Sequence, residues 1–357
     1  MSSLGVWNTA FLGDAVLTLP LVQTLREAYP DAVIDFWVRK GFGSLFAPHP
    51  AITNVFEYDK RGADKGLFKA ARLGGFLGRK RYGLWIGAHA SPRSGMIARW
   101  TSAKIRIGYD HPHLNRWLYT HLVPRRFNDL DEIERLLQLL GPLGLCERGI
   151  SPQTWPDIAL APEAEAKAGT FFATLSARFP GAPVLGLHPG STWGTKRWPA
   201  GYYASIAAKT AEEGAVALVF GGPDERADAA EVAATAIDLA APSARERIFD
   251  VAARWSLPEL AAVIKRLACY ITNDSGPMHL AWAQRVPVTA IFGPTVRELG
   301  FFPRGENSTV LEASVPCRPC GLHGPQICPH GHHRCMTDIS PAMVWDDAAP
   351  KLFRRQG

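Results

Sequence analysis

Short apolar runs with strand character alternate along this chain with stretches of helical periodicity, and that alternation restricts its fold more than any other feature. In the first half the pattern predicts strands over 4–7, 33–38, 55–58, 84–87 and 105–108, and helices over 15–29, 64–77, 94–100 and 131–140. Strands interleaved with helices form parallel sheets covered on both faces, because each crossover lays its apolar stripe back on the sheet. The rhythm breaks over 149–162, GISPQTWPDIALAP, where three prolines and little periodicity mark an interdomain linker. It restarts with helices over 163–178, 202–213, 226–240, 257–266 and 277–284 and strands over 184–188, 216–220, 248–251, 269–272 and 288–292. The fold class expected is α/β, with two tandem doubly wound, Rossmann-like domains over 1–160 and 161–357. Ligands of open α/β sheets bind beyond the carboxyl ends of the strands, so two such domains facing each other would hold a ligand between them.

Three strand ends in the second half lead into loops suited to anions. In ITNDSGPMHLAWAQ, residues 271–284, the turn Asn273-Asp274-Ser275-Gly276 joins a buried strand to a helix start. Asp274 or Ser275 suits the helix cap, Gly276 permits close backbone approach, and Pro277 loses nothing in a first turn, where its missing N–H would have no helical partner. Unpaired N–H groups and the helix dipole favour phosphate there. An ordinary strand-to-helix connection is the plainer reading of the same residues. HPGSTWGTKRWP, 188–199, repeats the design with the hydroxyls of Ser191 and Thr192, two glycines and the pair Lys196-Arg197, in an order that is not a Walker A loop. A third loop, FGGPDE at 220–225, presents Asp224 and Glu225, acids that suit ribose hydroxyls beyond a strand end. His279, early in the helix, reads either as a packed histidine or as a phosphate or sugar contact.

The first strand of the chain leads into NTAFLGD, with no G-x-G-x-x-G. Asp14 in that loop is either a helix cap or a carboxylate at the ligand edge of the sheet, where it suits a general base. Lys60, Arg61, Lys65, Lys69, Arg72, Arg79, Lys80 and Arg81 make a basic run opposed only by Asp64. A solvated helix face is the plain reading of that run. The alternative sets Lys65, Lys69 and Arg72 on one helical face as a wall for an anionic acceptor or lipid headgroups, to which Arg93 and Arg99, with His89 nearby, add, and takes Lys60, Arg61, Lys65 and Arg93 as the acceptor contacts.

A net charge of +6 and a pI near 9.0 point to an anionic partner. Nucleic acid is disfavoured, because the basic residues lack interleaved stacking aromatics. No run approaches the roughly 18 apolar residues of a membrane span. The first twenty residues lack a basic leader segment and carry Asp14 within their apolar stretch, so a cytoplasmic protein is expected. Of the six cysteines, Cys317, Cys320, Cys328 and Cys335 cluster near the end, with His323, His330, His332 and His333 among them. The CxxC start and the thiol number suit a tetrahedral structural metal such as zinc, and the tight spacing leaves an iron–sulfur cluster or two disulfides open.

Taken together, Gly13-Asp14-Ala15-Val16-Leu17-Thr18-Leu19-Pro20, His188-Pro189-Gly190-Ser191, Thr195-Lys196-Arg197-Trp198-Pro199, Thr272-Asn273-Asp274-Ser275-Gly276-Pro277-Met278-His279 and Gly331-His332-His333-Arg334-Cys335 resemble a known family in order and spacing. That family is glycosyltransferase family 9, the ADP-heptose:lipopolysaccharide heptosyltransferases, and the heptosyltransferase II branch in particular. The resemblance implies a GT-B fold. It implies that Asp14 is the catalytic base, that Lys196 meets the donor phosphates, and that Ser191, Thr192, Asp274, Ser275 and Gly276 bind the donor. It further implies an acidic lipopolysaccharide-core acceptor met by basic residues of the first domain, and peripheral contact with the inner face of the cytoplasmic membrane. No cofactor for catalysis is expected, because no convincing metal-binding carboxylate pair lies near the donor loops.

The reaction expected is inverting transfer of heptose from ADP-heptose to a core hydroxyl, without a catalytic metal. Asp129-Leu130-Asp131 has the D-x-D form, but it precedes a helix and reads as a cap. Two rivals are a nucleotide-sugar epimerase on the same fold, which would work on the donor alone, and a noncatalytic metal-binding scaffold at the membrane, which would turn over no donor.

Overall fold

The computed structural model describes residues 1–59, 62, 67–127, 129–145 and 154–354, without the side chains of 67–71. It divides into two compact units, Met1–Ala159 and Leu160–Gly357.

The first unit is built on six parallel strands: β1 (Ser3–Asn8), β2 (Val33–Arg39), β3 (Asn54–Tyr58), β4 (Leu84–Gly87), β5 (Ile105–Tyr109) and β6 (His121–Val123). Their order is β3-β2-β1-β4-β5-β6. The central strands are buried on both faces, so they read as unbroken apolar runs, and Leu4, Val6, Ile34, Phe36, Leu84 and Ile86 have no exposed surface. One face carries large aromatics, with the Trp7 ring 5.8 Å from Trp37 and 6.0 Å from Trp85. Gly5 makes room for them, since a β-carbon there would come 2.3 Å from the Trp85 ring.

The second unit repeats the plan with β7 (Val184–His188), β8 (Val216–Val219), β9 (Ile248–Asp250), β10 (Cys269–Asn273), β11 (Val288–Phe292) and β12 (Ser308–Glu312). These strands are parallel in the order β12-β11-β10-β7-β8-β9. The helices Ala200–Glu212 and Arg226–Leu239 pack against each other through small residues, among them Ala204, Ala207, Ala211, Ala229, Ala233 and Ala236. The helix Pro341–Leu352 closes the same core with Val344, Ala348 and Leu352.

Both sheets therefore reverse direction beside their first strand, between β1 and β4 and between β7 and β10. Loops leaving the carboxyl ends at such a point diverge and leave a crevice for ligand. β6, β12 and the helix Pro341–Leu352 were not expected from the sequence: β6 is an edge of three residues, β12 (STVLE) is an edge with only two apolar residues, and Pro341 and Pro350 obscure the helical pattern. No helix of the described residues is long and apolar enough to cross a membrane.

Candidate active site

In the second unit the loops after β7, β8 and β10 line one pocket of about 140 Å³, bounded by His188, Ser191, Thr192, Glu225, Ser275 and Gly276 and by the apolar Phe220, Leu260 and Tyr270. Asn273 fastens two of these loops together. Its Nδ2 donates to the carbonyls of Pro189 (2.8 Å) and Gly190 (3.3 Å), while its Oδ1 accepts from Trp198 N (3.1 Å) and Tyr203 Oη (3.0 Å). Ser275 occupies the cap position of the helix Gly276–Ala283, but its side chain makes no capping hydrogen bond. The Asp274 side chain does not cap either, because it turns to a cation.

That cation is Lys196, whose Nζ lies 2.5 Å from Asp274 Oδ2; Thr295 Oγ1 donates to the same oxygen at 2.7 Å. Lys196 is 7 % and Asp274 9 % exposed, so the pair is largely dry. Burial works to raise the Asp274 pKa, but the charge and hydrogen bond of Lys196, with Thr295 and His279, outweigh it and hold the carboxyl below its ordinary value. His279, also buried, is pushed down to about 4 by desolvation, so it is neutral at physiological pH. Among the described residues its Nδ1 has no hydrogen-bond partner.

Glu225 is committed within its own loop. It accepts from Gly222 N at 2.8 Å and lies 3.2 Å from His188 Nε2. Burial would raise its pKa, yet His188, the Gly222 N–H and Arg197 bring it down to about 2. Asp224 lies in the short turn Pro223–Glu225, exposed and outside the pocket lining.

In the first unit Asp14 follows β1, in the third position of the short helix Leu12–Leu17. Its Oδ2 accepts from Phe11 N at 3.1 Å, so the capping reading holds for one oxygen. The backbone around it is pinned by Asn8, whose Nδ2 donates to Asp14 O (3.2 Å) and to Thr18 Oγ1 (2.8 Å). Desolvation and the nearby Glu132 push the Asp14 pKa up to about 6, against the Phe11 N–H and the charge of Arg125. Glu132 is held by Arg125 through two hydrogen bonds of 2.8 and 2.9 Å and by Arg135 at 3.0 Å. A part-buried carboxylate that titrates near neutrality is matched to taking a proton from a hydroxyl.

Residues 70–324 match the model of glycosyltransferase family 9 (heptosyltransferase). The chain belongs to that family. Over 88 % of its length, and 84 % of the relative's, it is 30 % identical to lipopolysaccharide heptosyltransferase 1 of Pseudomonas aeruginosa. Its fold is similar to that of the E. coli ADP-heptose lps heptosyltransferase II, with a TM-score of 0.78 at 21 % identity and all of both chains covered. It is also similar to E. coli heptosyltransferase WaaC with ADP-2-deoxy-2-fluoro heptose, with a TM-score of 0.68 at 20 % identity over 97 % of this chain and 98 % of that one. The fold is thus GT-B, and the chain is a glycosyltransferase.

Of the other residues singled out in the sequence, Arg93 is exposed in the first turn of the helix Pro92–Trp100, which Ser91 caps. Lys60, Arg61 and Lys65 lie outside the described residues. Asp131 caps the helix Glu132–Gln138 by accepting from Glu134 N at 3.1 Å, and Asp129 pairs with Arg126 at 3.1 Å, so the D-x-D motif is spent on structure. Cys317, Cys320, Cys328 and Cys335 are not joined in disulfides. Burial and the other three cysteines push Cys335 up to about 11, and the His333 N–H leads the backbone donors that lower Cys328. Among the described residues no three His, Cys, Asp or Glu side chains are arranged to hold a metal ion, and no chemical step is assigned to one.

The sequence did not signal Arg125, Glu132 or Thr295. All three act on a site carboxylate from another loop or helix, and a residue whose role depends on a distant partner leaves no local pattern.

Proposed function

We propose that this glycosyltransferase transfers a heptose from ADP-heptose to a hydroxyl of the lipopolysaccharide inner core, with inversion at the anomeric carbon. The observation that carries the reading is the pocket shared by three strand-end loops of the second unit, with the buried Lys196 held beside it on Asp274. Ser191, Thr192 and Ser275 supply hydroxyls, Gly276 permits close approach, and uncapped N–H groups at the helix start suit a diphosphate. Relatives whose names carry heptosyltransferase activity, and a similar structure holding an ADP-heptose analogue, support the choice of donor.

In the step proposed, Asp14 accepts the proton of the core hydroxyl as its oxygen attacks the anomeric carbon. The bond from that carbon to the diphosphate oxygen breaks, and ADP leaves with the electron pair. Lys196 and the helix-start N–H groups stabilise the charge that develops on ADP. The ammonium has three donors, so it can meet a phosphate oxygen without leaving Asp274. With His279 neutral, Lys196 is the cation this cluster contributes.

Contact with the inner face of the cytoplasmic membrane follows from the acceptor and is supported by the net charge of +6. The test of the function is mass analysis of products after offering the protein a panel of nucleotide sugars, with and without core-lipid acceptor, in EDTA. Heptose added to the acceptor with release of ADP is expected. Conversion of the donor without acceptor would favour epimerisation, and no turnover of any donor would contradict both.

A further inference from the structure

We propose that the tail segment 317–335 forms a wall of the donor site, and that Gln326 is a positioning residue that sets the 192–196 backbone for the donor's diphosphate. The inference rests on the donor reading given above.

The side-chain amide of Gln326 bridges the loop after β7: Oε1 accepts from Gly194 N at 3.0 Å, and Nε2 donates to Thr192 O at 3.0 Å. The neighbouring Pro325 carbonyl accepts from both the N–H and the hydroxyl of Thr195. His333 Nε2 lies 2.8 Å from Thr195 O. A carbonyl only accepts, so that ring nitrogen carries a proton. His323 stacks on Trp193 with centroids 5.7 Å apart and planes inclined by 2°. The contact is close enough to dictate glycine at two positions. A β-carbon at Gly194 would come 2.4 Å from the Gln326 carbonyl oxygen, and one at Gly324, with φ of +73°, would come 2.7 Å from Pro294 and 3.0 Å from Thr195 Oγ1.

The wall is itself anchored. Arg318 donates to the carbonyls of Phe292, Gly293, Thr295 and Ala313 and pairs with Glu312 at 2.7 Å, while Cys320 N donates to Pro294 O at 2.8 Å. Thr295, whose carbonyl Arg318 holds, is the residue whose hydroxyl steadies Asp274. The tail thus fixes both halves of the Lys196–Asp274 pair, one through Thr195 and the other through Thr295. Gln326 is exposed, yet both ends of its amide are given to the backbone of this one loop. Such bonds order a loop before its ligand arrives, which lowers the entropy lost on binding.

Calorimetric titration with ADP, on the full chain and without acceptor, tests the proposal. Gln326→Ala removes two hydrogen bonds and should weaken ADP about tenfold. Gln326→Glu keeps the acceptor for Gly194 but sets a carboxylate oxygen against Thr192 O and an anion near the diphosphate, and should weaken ADP at least as much as Gln326→Ala. Ile327→Ala alters a neighbouring side chain that is 83 % exposed, and should bind as the unaltered protein does. The thermal midpoint and the acceptor KM should stay unchanged in all three while the donor KM follows ADP affinity. If Gln326→Ala and His333→Ala both bind ADP within about twofold of the unaltered protein, while Lys196→Ala binds it less well, the tail has no positioning role and the donor reading stands. If the unaltered protein fails to bind ADP, the donor reading falls, and this inference falls with it.

Discussion

Asp14 and Asp274 each lie just past a strand that flanks the point where its sheet reverses, in two units of the same strand order: Asp14 follows β1, the first strand of its unit, and Asp274 follows β10, the fourth of its own. Both are shielded from water, which by itself raises a carboxyl pKa, yet they end on opposite sides of the ordinary value. At Asp14 the strongest charged neighbour is Glu132, and the pKa climbs to about 6. At Asp274 it is Lys196, and the pKa drops. The fold supplies the position and the partner supplies the chemistry: one carboxylate is left ready to accept a proton, the other is consumed in holding a cation.

Lys196 is where a single change does most to the contrast between the two carboxylates. Lys196→Ala leaves Asp274 buried without its main partner and should lower the transfer rate by about 10²–10³-fold and stability by about 3–5 kcal/mol, read by steady-state kinetics and urea unfolding. The double variant Lys196→Ala with Asp274→Ala should regain most of the stability and none of the rate, which separates the two roles. Asp14→Asn should lower kcat by about 10²–10⁴-fold with ADP affinity unaltered, since nothing on the donor side is touched.

A subtler change sharpens the contrast without removing either carboxylate. In Glu132→Gln the negative neighbour is gone and Arg125 faces Asp14 less opposed, so the Asp14 pKa should fall below about 6 and the acid limb of kcat/KM should move to lower pH.

The smallest effect is on stability against pH. A folded carboxyl pKa of about 6 against 3.8 means the folded state holds the Asp14 proton through that window, so the contribution of Asp14 to stability declines as pH rises from 3.8 to about 6. Glu225, held down to about 2 against 4.5, runs the other way: its contribution is present above 4.5 and is lost as pH falls toward 2. Unfolding curves across this range should flatten between about pH 4 and 6 in Asp14→Asn and keep their acid limb.

Much of this layout is legible in the sequence because it is local. β7, β10 and β11 are buried strands of five residues that are mostly apolar, and the helices between strands carry their own period, so element order follows with ends shifted by a few residues. Asp14 and Lys196 stand out because they lie just past strand ends, where ligand crevices form beside the point at which the strand order reverses. What the sequence hides is pairing at long range. Nothing near Asp274 announces that Lys196 and Thr295 will claim one of its oxygens, and nothing near Asp14 announces Glu132. The basic run beginning at Lys60 shows the converse: a strong local signal whose acceptor role has no described geometry behind it, because Lys60, Arg61 and Lys65 fall outside the described residues. The cysteine-rich tail announced itself by composition, but its contacts to Thr192, Gly194 and Thr195 emerge only once the chain has folded back on the loop after β7.

Asp14 is proposed as the group that accepts the proton of the acceptor hydroxyl, and the pH dependence of kcat/KM for heptose transfer tests this most directly. The unaltered protein should lose activity below about pH 6, where Asp14 takes up its proton, and the much slower Asp14→Asn should show no limb there. The same limb persisting in Asp14→Asn, at a rate near that of the unaltered protein, would contradict it.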